Sequence, residues 1–343
     1  MLQLRTYPFE LAFEYPFVTA KGMKTHQPTL VVSLGMGMLR GHGEAPAIHY
    51  YNVTVAEMIA LLDAKRPVIE RYALTDPQRF WHFLEHLLPG HHFLVAALDI
   101  AGWDLFAQLR RLPLGRLLGI KGTPPVTDYT LGLGTAEEMI AKMKARPAPV
   151  YKIKIAGPDG LDLVAALRAH TDTPFRADAN EGLSFEDAKR MLPELHRLGV
   201  TLLEQPLPKA ERAAMQELKR IAPMPLFADE SCVTEDDVAG CADGFHGINI
   251  KLTKCGGITP ALRMIQHARR LGLKVMLGSM NESTVGTAVL AHLSPLADEL
   301  DADGPLLLQE DVAEGLTFEE GILRTGPGAG LGIRFLGKPA SRQ

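Results

Sequence analysis

Two lysines one residue apart, Lys152 and Lys154, lie in the run Val150-Tyr151-Lys152-Ile153-Lys154-Ile155. Its alternation predicts a β-strand, on which side chains two apart share a face. Both ammonium groups then project the same way. An inward-facing lysine pair is costly to bury without partners; the bland alternative is an exposed edge strand, where lysine is common. Downstream, three acids each close a short apolar run: Asp178 after Phe175-Arg176-Ala177, Glu204 after Leu202-Leu203, and Asp229 after Phe227-Ala228. Lys251 closes Ile248-Asn249-Ile250, and Leu300-Asp301-Ala302-Asp303 adds two further carboxylates. Three carboxylates at one depth cannot all stay ionised side by side without a cation. Hard oxygen ligands with room for water and substrate suit Mg2+ better than zinc. Each acid alone could instead cap a following helix, but three in succession favour a shared metal.

The elements that must position these residues follow from spacing. After the linker Lys121-Gly122-Thr123-Pro124-Pro125, candidate strands end near Leu131, Ile155, Asp178, Glu204, Asp229, Lys251, Gly278 and Asp301, with neighbouring ends 22 to 27 residues apart. One strand–helix unit repeated eight times at a steady period predicts a closed parallel α/β barrel. A doubly wound open sheet would have more variable crossovers and usually a glycine-rich phosphate turn after its first strand. No such turn follows the first strand, and Gly326-Pro327-Gly328-Ala329-Gly330 reads as turns. In an eight-stranded ring the second and sixth strands face each other, so Lys154 and Lys251 approach one point from opposite sides. The metal then occupies a third side, and Asp301 and Asp303 the fourth. Two opposed acid/base groups suit a 1,1-proton transfer, one removing a proton and the other returning it to the opposite face. The metal would stabilise charge developing on a substrate carboxylate. Lys152, beside Lys154, disfavours a second positive charge there and so favours a free amine. Lys254 reads as structural or as a contact of the metal shell.

Residues 1 to about 48 predict short strands, notably Leu30-Val31-Val32-Ser33-Leu34, with a polar loop from Thr19 to Pro28. From Thr54 to about Leu118 the pattern is helical, opening with Thr54 and Glu57 at capping-box spacing. The helical run Phe93 to Leu109 carries Asp99 and Asp104 among apolar residues. Strands followed by helices suggest a separate α+β domain. The 343 residues are 46% apolar and 22% charged with a net charge of −4, which argues against a nucleic-acid partner. Three unevenly spaced cysteines, Cys232, Cys241 and Cys255, fit a reducing compartment. Without a visible signal peptide or a long uncharged apolar run, the expectation is a cytoplasmic protein with no membrane partner. Assembly as a homo-oligomer is allowed. His82-Phe83-Leu84-Glu85-His86 matches a zinc-peptidase pattern, but Pro89-Gly90 ends that helix and no downstream acid pairs with it. It reads as a surface helix. A non-catalytic scaffold would require neither both lysines nor all three acids.

With these residues in place, the chain resembles the muconate-lactonising subgroup of the enolase superfamily. The resemblance rests on Lys152-x-Lys154, Asp178-Ala-Asn180, Glu204-Gln-Pro206, Ala228-Asp229-Glu230-Ser231 and Asn249-Ile-Lys251-x-x-Lys254-x-Gly256-Gly257. It implies a (β/α)7β TIM-like barrel over residues 123–322, an N-terminal α+β capping domain over 1–122, and a tail, 323–343, that returns to the cap. It implies Asp178, Glu204 and Asp229 as Mg2+ ligands, Lys154 and Lys251 as the acid/base pair, and Asn180 and Lys254 behind them. Several reactions share this lysine pair: dipeptide epimerisation, muconate cycloisomerisation, dehydration to o-succinylbenzoate, and N-acylamino-acid racemisation. Asp301-Ala302-Asp303 resembles the Asp-x-Asp of dipeptide epimerases, which binds the peptide's free amino group; a double acid would repel substrates lacking an ammonium. The expected activity is epimerisation of an L-Ala-X dipeptide at the α-carbon of its second residue, through a metal-stabilised enediolate. Substrate choice is expected from the cap loop, at Gly22, Lys21 and Lys24, and from Met280 and Glu282 after the seventh strand. In Ala-Glu epimerases a cap-loop arginine meets the glutamate; the aligned residue here is Gly22. Lys21 and Lys24 could substitute, or the second residue could be apolar.

Overall fold

The computed structural model describes residues 1–19 and 21–341. The chain opens with an antiparallel meander, β1 (Gln3–Thr19), β2 (Gly22–Met36) and β3 (Leu39–Pro46). The polar loop expected over 19–28 is instead the end of a long hairpin, in which Thr19 pairs with Gly22 and Glu10 with Pro28. Ladder hydrogen bonds need only backbone groups. The hairpin end has little apolar face to bury, and so its sequence carries no strand pattern.

Three helices follow: α1 (Val55–Glu70), α2 (Pro77–Leu87) and α3 (His92–Leu109). Thr54 Oγ1 accepts from the Glu57 N–H at 3.3 Å and donates to its carboxylate at 2.7 Å, so the expected cap is present with a side-chain variant of the second bond. α3 is apolar almost all round and packs beneath β2 and β3. A Cβ on Gly43 would fall 2.0 Å from the Ala97 carbonyl oxygen, so only glycine lets β3 approach α3 this closely. Among the described residues α3 alone is long and apolar enough to cross a membrane, and it is buried inside the molecule.

Eight parallel strands then form one sheet in chain order: β4 (Tyr129–Leu131), β5 (Tyr151–Lys154), β6 (Phe175–Asp178), β7 (Val200–Glu204), β8 (Leu226–Ala228), β9 (Gly247–Lys251), β10 (Lys274–Gly278) and β11 (Glu299–Asp301). Their ends fall within a residue of those read from the spacing. The ring closes between β4 and β11 by the Thr127–Leu300 bridge, with Ala302 N–H donating to Thr127 Oγ1 at 2.8 Å. Arg176, inside the barrel on β6, braces this seam through the Leu300 carbonyl at 2.6 Å and Asp128 at 2.8 Å. Tyr151 and Ile153 face outward into the main hydrophobic core, which leaves Lys152 and Lys154 inside the ring. They are not on an edge strand.

After the barrel, β12 (Glu310–Glu314) pairs antiparallel with β15 (Arg334–Ser341), and β13 (Leu316–Glu319) with β14 (Ile322–Thr325). Phe335 on β15 sits edge-on to Tyr7 and 4.8 Å from the His42 ring. Buried acids fasten α3 and the meander to the barrel and the C-terminal segment. Asp99 accepts from Thr259 N–H and Oγ1, Asp104 from the His42 and Leu331 N–H groups, and Glu44 from the Ser283 and Gly286 N–H groups. The last pair opens the helix Thr284–Leu293, where a carboxylate complements unsatisfied N–H groups and the helix dipole. This accounts for Asp99 and Asp104 in an otherwise apolar helix.

Candidate active site

Strand register sets the depth of the chemical groups. Lys154, Asp178 and Glu204 are successive partners across β5, β6 and β7, and Lys251 and Asp301 both pair with Gly278 of β10. Register thus gives two runs at the C-terminal rim, Lys154–Asp178–Glu204 and Lys251–Gly278–Asp301, and Asp229, just beyond β8, meets Lys251 between them at 2.9 Å. A Cβ on Gly278 would come 2.4 Å from Asn249 Oδ1, so glycine leaves Asn249 free to donate to Glu204 Oε1 at 2.8 Å.

Asp178, Glu204 and Asp229 are buried, and one oxygen of each lies within 4.8 Å of the others. Lysines surround them. Lys154 Nζ donates to Asp178 at 2.5 Å, Lys251 Nζ to Asp229 at 2.9 Å, and Lys254 Nζ to Asp229 Oδ1 at 2.5 Å and to the Asp229 and Cys232 carbonyls. Burial raises all three acids, but at Asp178 the ammonium groups of Lys154 and Lys152 outweigh it and bring the carboxyl down to about 2. At Asp229, Lys251 and Lys254 outweigh burial and hold the carboxyl well below the usual range. Glu204 remains raised by burial and by Asp178. Its Oε2 is 2.7 Å from Lys152 Nζ, yet has no partner in hydrogen-bonding geometry. Three buried carboxylates, each with a hard oxygen converging on the others, fit a divalent cation such as Mg2+.

Lys152 stands between this triad and a second acidic group, with Asp301 at 2.6 Å, Glu204 at 2.7 Å and Asp178 at 3.2 Å. Burial acts to lower it, but those carboxylates hold the ammonium well above the ordinary lysine range. Lys152 is thus a fixed cation bridging two acid clusters. The second cluster contains Asp301, Asp303 and Asp128, again with one oxygen each within 4.8 Å. Asp303 accepts from the Thr130 N–H at 2.6 Å, and burial together with Asp301 pushes it up to about 7.

One cavity joins these groups. Lys154 and Lys251 enter it from β5 and β9, Asp301 and Asp303 line the β11 side, and Asn180 lines the rim by Asp178. The hairpin end contributes Lys21, Gly22 and Lys24, and the segment after β3 contributes Ile48 and Tyr50. Lys21 is tied to Glu181 at 3.0 Å, whereas Lys24 donates to the Gln27 amide oxygen at 3.2 Å and is lowered by burial to about 8, with the Glu282 carboxylate acting in the opposite sense. Met280 lines the cavity with its sulfur 4.0 Å from Lys251 Nζ and 3.8 Å from the Tyr50 hydroxyl. Glu282, expected beside it, does not: its carboxylate turns back to accept the Met280 N–H at 2.5 Å. In that tight turn the backbone donor wins the carboxylate.

Asp128, Thr130 and Tyr50 were not legible as site residues. Asp128 stands alone before the first strand, and Tyr50 reaches the cavity only because the meander folds over the barrel. On α2, His82 and His86 are exposed, and His86 Nδ1 lies 2.7 Å from the His82 carbonyl, within its own helix. Among the described residues, the clusters of acids, histidines or cysteines close enough to share an ion are the two inside the barrel.

Residues 135–338 match the family model described as enolase C-terminal domain-like. The chain is 40% identical to an L-Ala-D/L-amino acid epimerase of Flavobacterium johnsoniae, over 98% of this chain and 99% of that one. It is 39% identical to a hydrophobic dipeptide epimerase of Roseobacter litoralis, over 66% of this chain and 69% of that one. Its fold superposes with a TM-score of 0.91 on a dipeptide epimerase from Methylococcus capsulatus complexed with Mg and L-Arg-D-Lys, at 29% identity, covering 98% and 99% of the two chains. With the barrel, the lysine pair and the acid triad in place, the chain belongs to the enolase C-terminal domain-like family of the enolase superfamily.

Proposed function

We propose that this protein is a Mg2+-dependent dipeptide epimerase acting at the α-carbon of the second residue. The observation that carries the reading is that Lys154 and Lys251 enter one cavity from β5 and β9, each in contact with an acid of the triad, Asp178 and Asp229 respectively. Asp178, Glu204 and Asp229 would hold the ion, which supplies positive charge for a substrate carboxylate as its α-proton leaves. A dipeptide carboxylate at that end places its α-carbon between the two amines. Whichever amine is neutral takes the proton, and the opposing ammonium returns one to the other face. Asp301 and Asp303, at the far end, would accept the peptide's free ammonium, which separates this reading from N-acylamino-acid racemisation, o-succinylbenzoate synthesis and muconate cycloisomerisation.

The second residue's side chain would point toward the hairpin end and Met280. Lys24 is the lining cation there that makes no direct ion pair among the described residues, although Glu282 lies close enough to act on its charge, and it favours an acidic or polar side chain over a basic one. We also take residues 1–122 as a cap, 123–322 as the barrel and 323–343 as the return, on the packing of Phe335 against Tyr7 and His42. A cytoplasmic location is supported by three buried free thiols. The deciding experiment is α-proton exchange in D2O, followed by NMR on an L-Ala-X panel with Mg2+ and with EDTA. Exchange with inversion only in the presence of the ion is expected; no exchange with any dipeptide would sink the proposal.

A further inference from the structure

Asp128 is an acid beside the site that the proposed reaction leaves unused. It precedes β4 by one residue, is buried, and does not line the cavity. Its Oδ2 accepts from Arg176 Nη1 at 2.8 Å, while its Oδ1 is buried with no hydrogen-bond partner. An unpartnered buried carboxylate oxygen is costly, so the charge it faces matters. Asp301 and Asp303 each offer an oxygen within 4.8 Å of one from Asp128.

The cations nearby are already divided. Arg176 is shared among Asp128, Glu299 and the Leu300 carbonyl. Lys152 is shared between Asp301 and the triad acids Glu204 and Asp178. Neither can neutralise three carboxylates, and burial together with Asp301 raises the Asp128 carboxyl well above its usual range. The cluster therefore tends to hold protons while no further cation is present, and Asp301 and Asp303 are its members that face the cavity. A cation arriving there completes the balance, and a primary ammonium brings a compact charge with three donors.

We propose that Asp128 is a positioning residue for the substrate's amino end: held by Arg176 behind Asp301 and Asp303, it completes a three-acid field that draws a free ammonium and disfavours peptides without one. This rests on the epimerase reading, which supplies the ammonium. The competing role is purely structural, with Asp128 serving only to anchor Arg176 at the β4–β11 seam. The two differ in kinetics, because a damaged fold lowers the number of active molecules and hence kcat, whereas a weakened amino-end field raises KM.

The test compares the Mg2+-loaded wild type with Asp128→Asn and Asp128→Ser, using exchange and inversion of an L-Ala-X dipeptide and of its N-acetyl derivative. In the variants KM for the free dipeptide is expected to rise about ten-fold, roughly the size of effect seen when a charge partner is lost at a site. Under the same conditions kcat should stay within about three-fold, and the preference for the free over the acetylated peptide should shrink. A fall in kcat with KM unmoved, or failure of both variants to fold, assigns Asp128 to the seam alone and overturns the proposal. Absence of exchange by the wild type would instead remove the epimerase reading beneath it.

Discussion

Lys154 and Lys251 are expected to be separable by the isomer they act on. Each serves one face of the α-carbon, so Lys154→Ala or Lys251→Ala should abolish interconversion. The loss expected on removing an acid/base group is about 100- to 10,000-fold. Near-normal turnover in both directions by either variant would refute the two-base arrangement; circular dichroism checks that the fold survives. Asp301→Asn should weaken free dipeptides about ten-fold or more, as loss of a charge-assisted contact does, and spare N-acetylated analogues. Equal losses for both would remove the ammonium clamp. At the other end, Lys24→Met should lower kcat/KM for L-Ala-L-Glu about ten-fold and leave L-Ala-L-Leu nearly unchanged. An L-Ala-L-Leu preference in the wild type, untouched by this variant, would assign the hairpin end an apolar partner.

At the scale of elements, α3 and the meander meet the barrel through a shared apolar core, to which Ile100, Trp103, Leu11 and Phe13 contribute, and through buried polar bonds set within it. Asp99 on α3 holds the N–H and hydroxyl of Thr259, Trp103 Nε1 donates to the same hydroxyl at 2.9 Å, and Trp81 Nε1 donates to the Gly256 carbonyl at 2.9 Å. Replacing Asp99 with Ala leaves the Thr259 N–H buried without its acceptor, at a cost of about 1–3 kcal/mol. Urea unfolding should show that loss while the KM of any surviving activity stays near normal. No change in midpoint would mean the bond contributes nothing net. Glu44, by contrast, orders the helix after Met280, so its loss is expected to reach the site as well as the fold.

For the whole molecule, two conditions should shift stability. Binding of Mg2+ to the native triad but not to the unfolded chain stabilises by about 2.7 kcal/mol at 100 times Kd. Thermal melts with Mg2+ should therefore exceed those with EDTA, and Asp229→Asn should erase the difference. Acid acts through His42, which burial, with Arg40 nearby, lowers from 6.5 to about 4. Between those values the unfolded chain binds the extra proton, so the stability that neutral His42 contributes is complete above about pH 6.5 and is lost as pH falls toward 4. His42→Gln should flatten the unfolding free energy across that window; an unchanged slope would clear His42 of the effect.

The barrel and most of its reactive rim were legible in the chain itself, because a strand period of two and a steady strand–helix repeat fix which residues share a face and a depth. Lys154, Lys251, Asp178, Glu204 and Asp301 are such residues, and register carries them in two runs to one rim. The hairpin end of β1 and β2 was not, since backbone pairing without a buried face leaves no periodic mark. Nor was the use of Lys152, Glu282 or Asp128. A strand pattern states which way a side chain leaves the backbone, but not which of several buried acids or donors it will meet. Lys152 bridges two acid clusters, Glu282 turns to a backbone N–H, and Asp128 gathers with Asp301 only where the first and eighth strands meet. Those partners lie far apart in sequence or compete at close range, and closure of the ring decides among them.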